Sequence, residues 1–207
     1  MSGPRRSGGS WRERQERDPY VQQARRDGWR SRAVYKLEQI DKKERLLKPG
    51  MVVVDLGAAP GSWSQYVTEK LDGRCRIIGV DLLPMDTLAS VEFVQGDFRE
   101  DEVLDTILAM LGDEKADLVL SDMAPNISGN KAVDQPRTMY LVELALDLAT
   151  RVLKGGGSFV CKVFQGEGTD AFIREARRHF ERVKVVKPKA SRAGSREVYL
   201  VARNYQI

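Results

Sequence analysis

Short apolar runs alternate along this chain with longer stretches in which apolar residues recur every three or four positions. The short runs end in polar or glycine residues, a pattern typical of strands that are buried on both faces of a parallel sheet. They predict strands at residues 51–55, 76–81, 91–94, 116–120, 158–164, 182–186 and 198–202. The longer stretches predict amphipathic helices, at residues 31–46, 62–71, 101–111, 136–153 and 171–180.

Strands and helices in alternation predict an α/β protein with helices on both faces of one sheet. The last two strands are joined by a short basic segment with no room for a crossover helix, so we expect them to pair antiparallel. The predicted fold is a doubly wound, seven-stranded, mostly parallel sheet of the Rossmann-like type with one antiparallel strand. A single domain is expected to occupy residues 19–207.

Four local features complete the predicted structure. Residues 1–18 are rich in Gly, Ser and Arg and are predicted to form a basic, disordered tail. Gly28 is predicted to divide the helical region before the first strand, and Ser31 to cap its second helix. Pro136 is expected in the first turn of its helix. Residues 155–157, three glycines, are predicted to form a turn.

The stretch MVVVDLGAAPGSW, residues 51–63, joins the first predicted strand to the next helix through a glycine turn. Such a turn is a nucleotide-type binding corner, because glycine lets a ligand approach the backbone closely. Gly57 and Gly61 are separated by Ala-Ala-Pro, which departs from G-x-G-x-x-G, and no G-K-[ST] follows, so a P-loop is excluded. Pro60 also removes one N–H. A loop with few phosphate donors favours a nucleoside without a pyrophosphate, which points to S-adenosylmethionine.

Composition narrows the class of protein. No run of ~18 apolar residues predicts a transmembrane helix, and MSGPRRSGGS has no apolar region of a secretory signal. Cys75 and Cys161 fall in predicted strands and are expected to be buried thiols of a cytoplasmic protein. With two cysteines and a single histidine, His179, no metal site is predicted. We expect metal-independent chemistry and a monomer.

The net charge of +4 conceals an uneven distribution. Residues 1–36 contain ten Lys/Arg and four Asp/Glu, and residues 174–196 contain nine Lys/Arg and two Asp/Glu. The segment between them, residues 37–173, is acidic, with fourteen Lys/Arg and twenty-three Asp/Glu. A solvated surface explains one charged helix, but two separate arginine-rich segments indicate binding to a nucleic-acid backbone.

Ligands of a doubly wound sheet bind outside the carboxyl ends of its strands. Four carboxylates follow one another at such ends, Asp55, Asp81, Asp97 and Asp122. A turn or cap explains any one of them, but four in succession indicate a binding site. Asp81 is placed to accept the ribose hydroxyls of a nucleoside and Asp97 an adenine amino group. Trp63, beside the glycine turn, packs against either the ligand or the core, and the sequence leaves both open.

Lys162 interrupts the apolar run at residues 158–164. Lysine is almost never fully buried unless it is paired, so we expect a carboxylate partner at a neighbouring strand end. Asp122 is the predicted partner, and Glu197, which leads into the last strand, is placed to join the same cluster. The alternative is a lysine that extends along the rim of the sheet to solvent.

Seven segments now carry a family resemblance, namely VVDLGAAPGSWSQY, GVDLLPMD, QGDF, SDMAPNISG, MYLVELAL, FVCKVFQGEG and SREVYLVA. In order, spacing and identity they resemble the FtsJ/RrmJ family of ribose 2′-O-methyltransferases, from about residue 20 to residue 202. One departure is Ser62, where many relatives have a second glycine, and a serine at a helix start is expected to be tolerated. The tail before Tyr20 is unmatched.

The resemblance implies a cofactor, a substrate and a set of site residues. The cofactor is S-adenosylmethionine, and the substrate is a uridine of 23S ribosomal RNA within the assembled large (50S) subunit. The family's catalytic tetrad falls on Lys36, Asp122, Lys162 and Glu197, and the resemblance implies Lys162 as its proton acceptor. Its methyl-donor contacts fall on Gly61, Trp63, Asp81, Asp97 and Asp122.

Two roles for Lys162 are compatible with in-line methyl transfer to a ribose hydroxyl. Holding donor and acceptor in line makes the step effectively unimolecular, and a base assists because a hydroxyl is a weak acid. A lysine base must be neutral, and free lysine has a pKa of ~10.4. Burial and nearby cations favour the neutral amine, whereas carboxylates favour the ammonium. The sequence leaves open whether Lys162 takes the proton or, when charged, orients the oxygen.

Three other functions fit the sequence less well. Methylation of an exocyclic amine on a base requires a motif like N-P-P-Y with a stacking aromatic, whereas DMAPN, residues 122–126, has none. A ribosome-assembly factor without catalysis is expected to have lost tetrad members, and all four are present. A small-molecule methyltransferase has no use for two basic arms. RNA, recognised through shape, phosphates and the 2′-hydroxyl, suits a charge-rich surface.

Overall fold

The computed structural model describes residues 11–207, with side chains from residue 13 onward. Helices and strands alternate through most of this part of the chain. The helices are α1 (Trp11–Glu16), α2 (Pro19–Asp27), α3 (Val34–Glu44), α4 (Ser62–Lys70), α5 (Asp101–Leu111), α6 (Lys131–Val152) and α7 (Thr169–His179). The strands are β1 (Met51–Leu56), β2 (Cys75–Asp81), β3 (Val91–Gln95), β4 (Ala116–Ser121), β5 (Leu153–Phe164), β6 (Phe180–Val186) and β7 (Glu197–Tyr205).

The strands form one sheet in the order β3-β2-β1-β4-β5-β7-β6. Strands β1 to β5 pair in parallel, and β7 runs antiparallel to both of its neighbours. The predicted doubly wound sheet with one antiparallel strand is therefore confirmed. The strand order reverses between β1 and β4, and the crevice outside the carboxyl ends at such a point is where ligands bind.

Two hydrophobic clusters cover the opposite faces of the sheet. One contains side chains of α5, α6 and α7, and the other contains side chains of α2, α3 and α4. Strand β1 contributes to both, since Val54 belongs to the first cluster and Val53 to the second. Both valines are fully buried, which explains why residues 51–54 of this strand are all apolar.

The N-terminal segment is more ordered than predicted where the structure describes it. Residues 11–16 form α1, and Asp18 caps α2 by accepting the Tyr20 N–H at 3.0 Å. Asp18 also pairs with Arg32 at 3.2 Å. These local contacts order residues that composition alone assigns to a disordered tail, and the part of that prediction on residues 1–10 lies outside the described residues. Gly28 ends α2 with a φ of 78°, as predicted.

Two predicted helix starts were wrong. The Oγ atom of Ser31 accepts the N–H of Ala33 at 3.3 Å and lies 2.8 Å from that of Ser62, but α3 begins three residues later, at Val34. Helix α6 begins well before Pro136, because Asn130 caps it by accepting the Ala132 N–H at 3.0 Å. Pro136 lies inside this helix.

The glycines at residues 155–157 belong to β5 and do not form a turn. The register between β4 and β5 shifts between Ala116 and Leu118. A Cβ on Gly157 would lie 2.9 Å from the carbonyl oxygen of Lys154. Glycine therefore permits a close backbone approach at this irregularity, which the sequence pattern alone does not distinguish from a turn.

Among the helices of residues 11–207, none combines the length and the apolarity that a membrane span requires.

Candidate functional site

A cavity of about 660 Å³ opens at the carboxyl ends of β1 to β4. Its volume lies within the ~300–1,000 Å³ that is usual for small-molecule sites. Strand ends supply polar groups to its lining, and other side chains supply apolar surface. These lining residues include Gly57, Asp81, Leu82, Asp97, Phe98, Asp122, Met123 and Tyr140.

Asp81 is fixed by the two loops that border this cavity. One carboxylate oxygen accepts the N–H of Ala59 in the glycine turn at 2.9 Å, and the other accepts the N–H of Leu83 at 2.9 Å. A carboxylate has about four acceptor positions, so Asp81 can accept hydroxyl hydrogen bonds in addition to these two. Its contact with a ribose stays a prediction.

The glycine turn comes close to other parts of the cavity wall. Gly57 has a φ of 73°, and a Cβ there would lie 2.7 Å from Cγ of Met123. Gly61 has a φ of 107°, and a Cβ there would lie 2.9 Å from a guanidinium nitrogen of Arg30. Only glycine satisfies both the left-handed backbone and the limited space at these two positions.

Asp97 lines the cavity but is already engaged by a neighbouring side chain. The Nε atom of Arg99 lies 2.9 Å from each of its carboxylate oxygens. Hydrogen bonds from Arg99 lower the pKa of Asp97 against the opposing effect of burial, so the carboxylate stays ionised. The sequence did not predict this pair, which an adenine amino group would have to share.

Gly61 and Trp63 lie outside the lining of the cavity. Trp63 is 3% exposed and donates from its indole nitrogen to the carbonyl of Ala33 at 2.8 Å. Its ring lies 5.8 Å from that of Tyr199. The structure therefore places Trp63 in the core, and its contact with a methyl donor, like that of Gly61, stays a prediction.

Asp55 differs from the three other strand-end aspartates because it is buried beneath the cavity wall. It is 1% exposed, and one of its oxygens accepts the hydroxyl of Ser64 at 2.7 Å. Its other oxygen has no hydrogen-bond partner in the structure. Burial raises the pKa of Asp55 to about 7, despite the hydrogen bond from Ser64.

This raised pKa predicts a pH-dependent stability. Between about pH 4 and pH 7 the folded chain keeps a proton on Asp55 that the unfolded chain has released, so the free energy of unfolding falls as pH rises. Between pH 5 and pH 8, the free energy of unfolding is expected to fall by about 2–4 kcal/mol more in the unsubstituted protein than in Asp55→Asn, because asparagine does not titrate. Urea unfolding at both pH values measures this difference. An identical pH dependence in the two proteins would contradict it.

The four predicted catalytic residues meet in one cluster. Asp122 follows β4, Lys162 lies in β5, Glu197 opens β7 and Lys36 lies in α3. Because β4, β5 and β7 are neighbours in the sheet, their side chains converge. Nζ of Lys162 lies 3.2 Å from Asp122 and 3.9 Å from Glu197, and Nζ of Lys36 lies 2.8 Å from Glu197.

Burial and charge in this cluster act on Glu197 in opposite directions. Burial raises its pKa, but the charges of Lys36 and Lys162 and the hydrogen bond from Ser191 outweigh burial. The net shift is downward, so Glu197 is ionised at neutral pH. Asp122 both joins this cluster and lines the cavity. The cluster and the cavity therefore form one continuous site.

Tyr199 belongs to this cluster, although sequence reasoning missed it. Its hydroxyl donates to Asp122 at 2.6 Å and lies 3.4 Å from Glu197. Burial and these two carboxylates hold the pKa of Tyr199 well above its usual range, so it remains a donor. A signal existed in the sequence, because residues two apart in a strand share a face, as Glu197 and Tyr199 do.

Arg30 holds two loops of the cavity together. Its guanidinium donates to the carbonyls of Pro60 at 3.0 Å, Asp86 at 2.8 Å and Thr87 at 3.0 Å. The first belongs to the glycine turn, and the other two belong to the segment after β2. Arg30 thus fixes the spacing of these loops around the cavity.

Replacing Arg30 with methionine is expected to weaken binding of the methyl donor about tenfold. The loops lose three hydrogen bonds and must be ordered by the ligand instead. Calorimetric titration with S-adenosylmethionine measures the dissociation constant. Arg25→Met, an exposed arginine of α2, is the matched control and is expected to leave it unchanged. Equal affinities of the two variants would show that Arg30 does not organise the site.

The site has the chemical groups that a nucleoside requires. Carboxylates at the ends of adjacent strands accept from hydroxyl and amino groups, the glycine turn admits the ligand, and Leu82 and Phe98 supply apolar surface. Among residues 11–207, no group of three or more His, Cys, Asp or Glu side chains is arranged to hold a metal ion.

Comparisons with known proteins identify the family. A model of the FtsJ-like methyltransferase family matches residues 29–205. The chain is similar to a ribosomal RNA methyltransferase of Plasmodium falciparum, with 33% identity, a TM-score of 0.78, and coverage of 86% of this chain and 98% of that one.

Two more distant structures share the fold. An rRNA methylase of Clostridium thermocellum is 15% identical, with a TM-score of 0.54 and coverage of 81% of this chain and 96% of that one. A methyltransferase of Streptococcus mutans, solved with S-adenosylhomocysteine, is 12% identical, with a TM-score of 0.52 and coverage of 80% of this chain and 97% of that one. At these identities the likeness supports the fold alone.

Proposed function

The chain belongs to the FtsJ-like methyltransferase family, its cofactor is S-adenosylmethionine, and on that premise we propose that it methylates a ribose 2′-hydroxyl of ribosomal RNA. The observation that carries this proposal is the position of Asp122. It lines the donor cavity and also pairs with Lys162 at 3.2 Å. A hydroxyl beside Lys162 would therefore lie next to the mouth of the donor cavity.

In the proposed mechanism, Lys162 is the proton acceptor. Bound S-adenosylmethionine supplies an electrophilic methyl group on a sulfonium. In its neutral form, Nζ of Lys162 would accept the hydroxyl proton as the oxygen bonds to the methyl carbon and the bond from that carbon to sulfur breaks, which leaves S-adenosylhomocysteine. The resulting ammonium is held by Asp122 and Glu197. General-base assistance of this kind contributes ~10²–10⁴-fold in rate.

The remaining cluster residues position Lys162. Lys36 fixes Glu197 through the 2.8 Å ion pair, and Tyr199 fixes Asp122 through the 2.6 Å hydrogen bond. The backbone carbonyl of Asp122 also accepts from Lys162 at 3.1 Å. These contacts restrict Nζ to one place in the sheet, which a reaction that depends on in-line geometry requires.

We propose Asp81, Asp97 and Asp122 as donor contacts from the cavity, and Gly61 and Trp63 from the family resemblance. We further propose that the acceptor is a uridine of 23S ribosomal RNA in the assembled large subunit, and that the protein acts as a cytoplasmic monomer. The relative from Plasmodium falciparum, named as a ribosomal RNA methyltransferase, supports the RNA substrate. The excess of positive charge at residues 1–36 and 174–196 supports it too.

Transfer of labelled methyl from S-adenosylmethionine to ribosomal particles tests the substrate. Large subunits that lack the modification are expected to accept one methyl group, whereas small subunits and fully modified large subunits accept none. Protein-free 23S RNA is expected to be a poorer acceptor than the subunit. Labelling of small subunits alone, or of no particle at all, would contradict the proposed substrate.

A further inference from the structure

A second cleft brings together residues from the two basic segments of the sequence. It measures about 460 Å³ and lies between the α1–α2 region and the connection from β6 to β7. Among the residues whose side chains the structure describes, its lining contains one carboxylate, Asp18, and five cations, Arg14, Arg17, Arg32, Lys189 and Arg192. The cleft is therefore strongly positive.

Asp18 joins the two sides of this cleft. One of its carboxylate oxygens lies 3.2 Å from Arg32 and 3.2 Å from Arg192. The guanidinium of Arg32 also donates to the carbonyl of Ala190 at 2.5 Å and lies 5.4 Å from the ring centre of Tyr20. Asp18 is thus already bound by two arginines, and the floor of the cleft is fixed from both sides.

The other three cations of the cleft are available to a ligand. Arg14, Arg17 and Lys189 are exposed, and none of them takes part in an ion pair with any residue whose side chain the structure describes. Three unpaired cations around one concave surface suit a ligand with regularly spaced negative charges.

The cleft borders the catalytic cluster. Ser191 lines the cleft, and its hydroxyl donates to Glu197 at 2.8 Å. The same oxygen of Glu197 accepts from Lys36. Ser191 therefore contacts both the cleft and the catalytic cluster, so the cleft adjoins the cluster in which Lys162 lies.

We propose that this cleft binds the sugar–phosphate backbone of the RNA next to the methylated nucleotide, with Arg14, Arg17 and Lys189 as phosphate ligands. The proposal rests on the proposed function for the identity of the ligand. The charged groups described in the lining are cations except for Asp18, which suits contacts with phosphates more than recognition of bases.

The structure divides the second basic segment between two faces of the sheet. Arg174 and Arg177 lie on α7, which packs into the hydrophobic cluster opposite α3. Lys189 and Arg192 lie in the cleft. Of this basic segment, only the part that contains Lys189 and Arg192 is therefore proposed to contact RNA. Arg174 and Arg177 of α7 provide positions for a matched control.

A triple variant, Arg14→Gln with Arg17→Gln and Lys189→Gln, tests the cleft. Its KM for large subunits that lack the modification is expected to rise ~10–100-fold, with kcat and the affinity for S-adenosylmethionine within about twofold. The salt dependence of RNA binding should weaken, since each lost phosphate contact lowers the slope of log K against log salt by ~0.7. The control variant also loses three positive charges, but outside the cleft, through Lys115→Gln, Arg174→Gln and Arg177→Gln. It is expected to retain the original KM.

Equal KM values for the two triple variants would overturn the proposal. Filter binding of labelled oligouridylate separates its failure from failure of the proposed function, because this assay requires no methyl transfer. The unsubstituted protein could methylate no subunit while, of the two triple variants, only the cleft variant loses oligouridylate binding. That result would support the cleft as the RNA-binding site and show that the proposed methylation substrate is wrong. Poly-glutamate that competes as well as RNA of equal charge would indicate an acidic protein segment and overturn the proposal.

Discussion

Lys162→Met is expected to lower kcat for methyl transfer by ~10²–10⁴-fold, the usual contribution of a positioned general base. Methionine preserves much of the apolar stem in β5 but has no atom that takes or directs a proton. The dissociation constant for S-adenosylmethionine is expected to change by less than about threefold, because Lys162 is absent from the cavity lining. Single-turnover kinetics with pre-bound donor measure the chemical step, and calorimetry measures donor binding.

Lys154→Met provides a control in the same strand. Lys154 is an exposed lysine of β5 that pairs with Asp117, far along the strand from the cluster. This variant is expected to keep full activity, and thermal unfolding of both variants shows whether either fold is damaged. A folded Lys162→Met protein with more than a tenth of the original activity would exclude Lys162 as proton acceptor.

Asp81→Ala is expected to raise the dissociation constant for S-adenosylmethionine about 100-fold. The carboxylate is proposed to accept the ribose hydroxyls, and hydrogen bonds to charged groups contribute ~1.5–3 kcal/mol each. Its removal also frees the amides of Ala59 and Leu83, which it now holds at 2.9 Å. A hundredfold loss corresponds to about 2.7 kcal/mol. Calorimetric titration of the donor measures it.

Asp86→Ala makes the same charge change in the same loop. Asp86 is exposed and outside the cavity lining, so this variant is expected to bind the donor as tightly as the unsubstituted protein. If Asp81→Ala also binds normally, Asp81 supports the loops without contacting the ribose. If both variants bind weakly, general electrostatics of the loop explains the effect.

The alternation of apolar runs and helical stretches was enough to predict the sheet. In β1 and β4 nearly every residue is buried, so each strand contains a short apolar run that differs clearly from the helices. The buried lysine was equally informative. A charge inside β5 requires a partner, and the strand order places Asp122 within reach of Lys162.

Features that depend on individual side-chain contacts were not predictable in this way. The start of α6 depends on the Asn130 cap, whereas the pattern suggested Pro136. Asp55 resembled the other strand-end aspartates, but it faces Ser64 in the interior. Tyr199 was not among the predicted site residues, yet its hydroxyl donates to Asp122. Each outcome depends on which way one side chain points.

The charge pattern was also only partly informative. It indicated two basic segments, but it did not show that Asp18 joins them through Arg32 and Arg192. Nor did it show that α7 carries its arginines on the opposite face of the sheet. Three-dimensional contacts between distant segments decide which cations share a surface.

The identity of the methylated atom tests the central proposal most directly. Large subunits lacking the modification would be incubated with the protein and S-adenosylmethionine, and their RNA digested to nucleosides for mass spectrometry. The proposed function predicts one product, 2′-O-methyluridine, whose extra mass lies on the ribose fragment, and its absence with Lys162→Met. A methyl group on the base fragment would contradict ribose methylation and show that this site positions a base.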